Sequence, residues 1–154
     1  MNTLLRPLET HLQVLNHSET PTSFLFVIAK ETKSSCCPLC HHSSERKHSS
    51  YMRIIHDLPI QGKPVLLYLW TQKWFCTNAG CKRNVFTERY TWLLPSKRRT
   101  RRMEEMLRTI AFSNNCVQAS LLCQNLGVSV SHDTLLRLAH QTEIPLTSSP
   151  FRRY

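Results

Sequence analysis

The sequence predicts an α+β fold, with a small antiparallel β ribbon followed by a three-helix bundle. Three observations predict it. Two short cysteine pairs, Cys37-Pro38-Leu39-Cys40 and Cys76-Thr77-Asn78-Ala79-Gly80-Cys81, bracket a segment rich in β-branched, aromatic and basic residues. Inside that segment, Val65 to Phe75 has strand composition and alternation. Beyond Lys97 the apolar residues recur with the helical period instead.

The cysteine pairs carry chemistry. Two such pairs place four thiolates around one tetrahedral Zn²⁺, with Zn–S distances of about 2.3 Å. Pro38 and Ala79-Gly80 favour the tight turns that let each pair chelate from one knuckle. Cys37, Cys40, Cys76 and Cys81 are therefore the expected ligands, and the ion is expected to be structural, since four thiolates leave no open position. Cys36 competes with Cys37, but a two-residue gap closes a knuckle better than a three-residue one. Cys37-Pro38-Leu39-Cys40-His41 also fits the bare C-x-x-C-H haem pattern, which leaves the second pair unexplained. His41, His42, His48 and His56 are alternative ligands or phosphate contacts, or simply polar surface. The odd count of 7 cysteines suits four ligands and three spare thiols in a reducing compartment. With no secretory pattern and no apolar run long enough for a bilayer, a cytoplasmic location and no membrane partner are expected.

Charge points to a partner. The 154-residue chain carries a net charge of +10. From Arg46 to Arg102 there are 13 Lys and Arg against two acids, Asp57 and Glu88. Such one-sided density attracts a polyanion, with nucleic acid favoured over a membrane surface.

Taken in order, residues 1–35 predict a hairpin, His11 to His17 and Ser23 to Lys33, turning at Ser18-Glu19-Thr20-Pro21 and packing on the ribbon. The ribbon is placed at 36–92. Within it, Arg46 to Ile55 is a strand, Leu58 to Pro64 a turn, and Val65 to Phe75 the clearest strand. Its even face holds Leu66, Tyr68, Trp70 and Trp74, and its odd face is aliphatic. Trp70 and Trp74 read either as core or as base-stacking platforms, with core favoured because so small a ribbon needs apolar area.

Residues 93–142 predict the helical domain, and 143–154 a tail. Tyr90 to Ser96 is the link. Met103, Met106, Leu107, Ile110 and Ala111 form one helical face. Ser113-Asn114-Asn115 ends that helix and caps the next, Cys116 to Asn125, whose apolar set is Val117, Leu121 and Leu122, with Cys116 and Cys123 as small core residues. Gly127 suits a left-handed cap, and Ser129 or Ser131 caps a third helix to about His140, bearing Leu135, Leu136, Leu138 and Ala139. Helix, glycine turn, capped helix is the helix-turn-helix signature, here about one residue longer than the commonest form. On that reading Ser131, His132, Asp133, Thr134 and Arg137 face bases or phosphates in a major groove. Lys97, Arg98, Arg99, Arg101 and Arg102 form an arm for the backbone or a minor groove. A plain three-helix bundle without a DNA role is the competing reading. No nucleophile–base pair, phosphate-binding glycine loop or carboxylate centre is visible, so neither catalysis nor a small-molecule substrate is expected.

The ordered set goes further. Cys-Pro-x-Cys, His48-Ser49-Ser50-Tyr51, Asp57-Leu58-Pro59, Gly62-Lys63-Pro64-Val65 and Trp74-Phe75-Cys76 come in series. Cys81-Lys82-Arg83-Asn84-Val85-Phe86-Thr87-Glu88-Arg89, Arg99-Thr100-Arg101-Arg102 and the run Leu126 to Arg137 follow. Together they resemble the N-terminal region of insertion-sequence transposases of the ISL-three group, over about Leu12 to His140. The resemblance implies a zinc ribbon, then a helix-turn-helix that binds the double-stranded terminal inverted repeats of a transposon. Members of that group continue into a ribonuclease-H-like domain with Asp/Asp/Glu carboxylates, whereas Leu146 to Tyr154 holds no acid. What carries over is DNA binding without strand transfer: the expectation is a truncated, frameshifted or split transposase, nucleoid-associated, pairing with the full enzyme or itself. A stand-alone regulator of transposition and a zinc-ribbon protein adaptor are the alternatives.

Overall fold

The computed structural model describes residues 8–9 and 11–141; the expected tail at 143–154 and most of the first ten residues lie outside them. Two compact units emerge, Met1–Glu104 and Glu105–Tyr154.

The first unit is built on one sheet. Strands β1 (Leu12–Glu19) and β2 (Phe24–Lys30) form the N-terminal hairpin. Thr20 closes its turn: its amide donates to the Ser23 carbonyl at 2.9 Å, and its hydroxyl accepts from the Ser23 amide at 2.9 Å. The short strands β3 (Ser35–Cys36) and β4 (Ser43–Ser44) pair around the first knuckle. The long strands β5 (Lys47–Ile60) and β6 (Lys63–Phe75) form a second hairpin, and β7 (Val85–Thr87) adds to the end of β6.

The strand order is β1-β2-β6-β5, and β2 runs parallel to β6. The ribbon is thus not purely antiparallel: the N-terminal hairpin is continuous with it, because β2 is half-buried or buried along its length and its second edge finds backbone hydrogen-bond partners on β6. The expected turn at Leu58–Pro64 contracts to Gln61-Gly62, at φ 52° and 73°, with Ile60 paired to Lys63. Two successive left-handed residues match the twist of a two-residue hairpin. Pro59 is accommodated where the β5–β6 register shifts between Asp57 and Ile60, a place where a ladder donor is not needed.

The main core joins Phe26, Ile28, Ile55, Val65, Leu67 and Leu69 to Tyr90, Trp92 and Leu93. In the segment after β7, Tyr90, Trp92 and Leu93 belong to this core, and the first unit extends to Glu104. Along β6 the odd-numbered residues are buried from Val65 to Thr71, and then the phase switches. Trp74 is fully buried in a second small core, with Cys37 and Phe86. Trp70 is 41% exposed. The two tryptophans that the sequence grouped on one face thus part company.

Helix α1 (Arg101–Ser113) begins in the first unit and continues into the second, burying Met103, Leu107 and Ala111. In the second unit α2 (Cys116–Asn125) packs on α3 (His132–His140). Asn115 caps α2 by accepting from the Gln118 amide, and Ser131 caps α3 by accepting from the Thr134 amide. Gly127, at φ 82°, ends α2: its amide donates to Gln124 at 2.9 Å, and the Val128 amide to Cys123 at 2.8 Å. This is a Schellman cap, and buried Val128 and Cys123 supply its apolar contact. The packing face of α2 differs from the expected one. Cys123 is buried as expected, with Ala119 beside it, whereas Val117, Leu121 and Leu122 are exposed. No helix among the described residues is long and apolar enough to cross a membrane.

Candidate metal centre and nucleic-acid interface

The β3–β4 ladder holds the first knuckle. The Cys37 amide donates to the His42 carbonyl and the His41 amide to the Cys37 carbonyl, each at 2.9 Å. His41 sits at φ 58°, turning the chain back after Cys40. The second knuckle leaves β6 directly. The Cys76 amide donates to Asn84 at 2.8 Å and the Cys81 amide to Asn78 at 3.1 Å. The Asn78 side chain accepts from the Gly80 amide at 3.0 Å, the local turn that Asn favours.

These knuckles bring four sulfurs together, all within 4.8 Å of one another. Cys37 Sγ lies 3.9 Å from Cys81 Sγ, and Cys40 Sγ lies 3.6 Å from Cys76 Sγ. A tetrahedron with Zn–S bonds of about 2.3 Å has edges of about 3.8 Å, so the sulfurs already stand at ligand spacing. They are too far apart for disulfides. Cys36 is exposed and outside the group, and His48 stacks edge-on against Phe75 at 4.7 Å.

The thiols titrate unevenly. Burial pushes Cys37 up, but the amides of Cys40 and Leu39, with the Cys40 and Cys76 thiols, bring it down to about 7. Cys40 is lowered too, chiefly by the His42 amide. At Cys76 the Asn78 amide pulls down, yet burial and the three neighbouring sulfurs push it up to about 12. Cys81 is raised by burial and Cys40 against the pull of the Arg83 amide. Two thiols ionise readily and two need a nearby cation, which a divalent metal supplies. The four cysteines form a structural zinc site.

The basic arm is placed piecemeal. Lys97 Nζ lies 3.6 Å from the buried Glu104 carboxylate. Arg98 is exposed, while its carbonyl accepts from the His56 amide at 2.8 Å. Arg99 is half-buried and bridges to His56, and Arg101 is exposed. Arg102 donates from Nε to Asp57 Oδ1 at 2.8 Å and from its terminal nitrogen to Oδ2. Thr100, between them, donates to Asp57 Oδ1 at 2.7 Å and accepts from the Met103 amide, capping α1. Two of the five expected arm cations, Lys97 and Arg102, thus bind acids of their own unit. At the start of α3, Ser131, His132, Asp133 and Arg137 are exposed and Thr134 is half-buried; His132 Nε2 lies 3.2 Å from Asp133 Oδ1.

Asp57 was not singled out as a site in the sequence, yet it organises the arm. The available signal was its isolation: it and Glu88 are the two acids between Arg46 and Arg102, and both are buried. Glu88 accepts from Thr32 at 2.7 Å and from Tyr90 at 3.2 Å.

Comparison with known families agrees with this geometry. Residues 33–81 match the family model described as the zinc-finger of transposase IS204/IS1001/IS1096/IS1165. This segment is a zinc ribbon of the transposase type. Comparison with curated proteins gives no match, and neither does comparison with solved structures.

Proposed function

We propose that the chain is a zinc-dependent DNA-binding module of an ISL-three-group transposase, recognising the terminal inverted repeats of its transposon. The observation that carries the reading is the coincidence of a four-cysteine tetrahedron with a match to a transposase zinc-finger. Zinc fixes the ribbon, and α2–α3 acts as the helix-turn-helix. The exposed N-terminal residues of α3, Ser131, His132 and Asp133, with Arg137 one turn on, read base edges, and Thr134 reinforces the cap. Arg98, Arg99 and Arg101 meet phosphates, while Lys97 and Arg102 mainly hold the arm in shape. The strand-transfer chemistry is not this segment's task. A protein-adaptor reading draws on the exposed Val117, Leu121, Leu122 and Leu126 around α2.

Binding of the zinc-loaded protein to an inverted-repeat duplex and a scrambled duplex across a salt series tests it. Preference for the repeat, with affinity falling steeply as salt rises, is expected. Arg101→Ala should weaken both duplexes alike, whereas Arg137→Ala should alter the preference. No binding to either duplex refutes the reading and leaves the adaptor.

A further inference from the structure

A cleft of about 790 Å³ lies between β5 and the segment that runs from the second zinc knuckle to the basic arm. Four arginines line it: Arg53, Arg83, Arg89 and Arg98. The acid among its lining residues, Glu88, is buried and already accepts from Thr32 and Tyr90. The cleft is therefore strongly cationic.

The fold fixes the side chain of Arg53 and the backbone at or beside the other three. Arg53 donates to the Lys97 carbonyl at 2.7 Å, which fixes its guanidinium while leaving further donors. The Arg83 amide donates to Cys81 Sγ at 3.4 Å, so the metal knuckle sets its backbone. Arg89 follows Glu88, whose amide donates to Gln72 at 3.0 Å, and Arg98 is tied to His56 through its carbonyl. The side chains of Arg83, Arg89 and Arg98 are exposed, and none forms an ion pair among the described residues. Guanidinium forks match phosphate oxygens in pairs. Between the arginines the wall is partly apolar, with Tyr51 and Leu94.

We propose that this cleft binds a single-stranded nucleic-acid segment, its phosphates on Arg83, Arg89 and Arg98 and a base against Tyr51 and Leu94. A concave, half-apolar site in the size range of small-ligand pockets suits a strand whose bases are free to leave the stack. The convex, fully paired surface of a duplex offers it only phosphates. This site is separate from α3; it shares Arg98 with the arm proposed to meet duplex phosphates, and Arg83 and Arg89 are its own.

The test uses the zinc-loaded full chain and a fluorescein-labelled oligothymidylate of about ten nucleotides, a typical site size for a single-strand binder. Arg83→Ala/Arg89→Ala should weaken binding by about tenfold or more, whereas Lys33→Ala/Lys47→Ala, which removes equal charge outside the cleft, should change it less than about threefold. Equal losses in the two pairs overturn the proposal, since binding is then diffuse electrostatics. No binding of the oligothymidylate to the wild type overturns it as well. Displacement of the oligonucleotide by thymidine monophosphate or inorganic phosphate at matching concentrations also overturns it, because the cleft then takes a free phosphate and not a strand. Arg89→Ala alone gives the same reading if the pair loses zinc, since Arg83 adjoins Cys81 and Arg89 does not. Oligothymidylate binding without preference for the inverted repeat sinks the duplex reading and keeps this one; repeat preference without oligothymidylate binding does the reverse.

Discussion

Arg102→Ala is expected to damage the first unit more than Asp57→Ala, although both break the same ion pair. The Asp57 side chain is 1% exposed and that of Arg102 is 31% exposed. Removing the arginine leaves a buried carboxylate with one donor, the Thr100 hydroxyl, and an uncompensated buried charge costs about 3–5 kcal/mol. Removing the acid lets the arginine swing into water, so what is lost is the hydrogen bonding at Thr100 and Arg102, about 1–3 kcal/mol. With a urea slope of about 1.5–2 kcal/mol per molar, the midpoint should fall by about 2 M for Arg102→Ala and about 1 M for Asp57→Ala. The double variant should resemble Asp57→Ala, since the second change removes a charge already released. Tryptophan fluorescence is the probe, because Trp70, Trp74 and Trp92 all belong to the first unit. A greater loss in Asp57→Ala, or strict additivity in the double variant, would refute the assignment of Asp57 as the buried partner.

Three other outcomes are expected. Cys40→Ser should release zinc and unfold the small core around Trp74, read as metal content and a red-shifted tryptophan emission; unchanged metal content would sink the four-cysteine site. Gly127→Ala should lower the stability of the α2–α3 pair by about 1–2 kcal/mol, because φ 82° is costly for any residue with a Cβ; an unshifted helical melt at 222 nm would contradict that. Burial, Arg99 and Arg98 together hold His56 below its usual 6.5. As pH falls below about 6.5 the unfolded chain takes up this proton before the folded one does, so stability falls until the lowered folded value is reached. His56→Gln should remove that share of the acid sensitivity, and identical pH profiles for the two proteins would exclude His56 as its source.

Local signals were legible and long-range ones were not. The zinc ligands could be read because two knuckles impose their own spacing on the sequence. The caps at Asn115, Ser131 and Gly127 were also visible, since each acts on amides within a few residues. The β2–β6 pairing escaped, because parallel pairing of distant strands leaves no local turn between them. The buried face of α2 was missed since apolar size was taken as the guide. The structure buries Ala119 there beside Cys123, the small core residue that the sequence did offer.

The arm gives the clearest lesson about charge. Lys97 to Arg102 reads in sequence as a uniform cationic run, yet the fold divides it by function of position. Thr100 and Arg102 close on Asp57, Lys97 approaches Glu104, and the backbone around Arg98 to Thr100 pairs with His56. Three acids of this +10 chain are buried, Asp57, Glu88 and Glu104, and each meets neighbouring cations or hydroxyls of its own unit. The backbone at Arg98, Thr100 and Arg101 is hydrogen-bonded to His56 and Trp92, which sets where the remaining arginines leave the chain, and a cation on a placed backbone loses less entropy on meeting a phosphate than one on a free loop. Buried acids in so basic a protein therefore serve its surface, which is why Arg102→Ala should also weaken polyanion binding beyond what the loss of one charge accounts for.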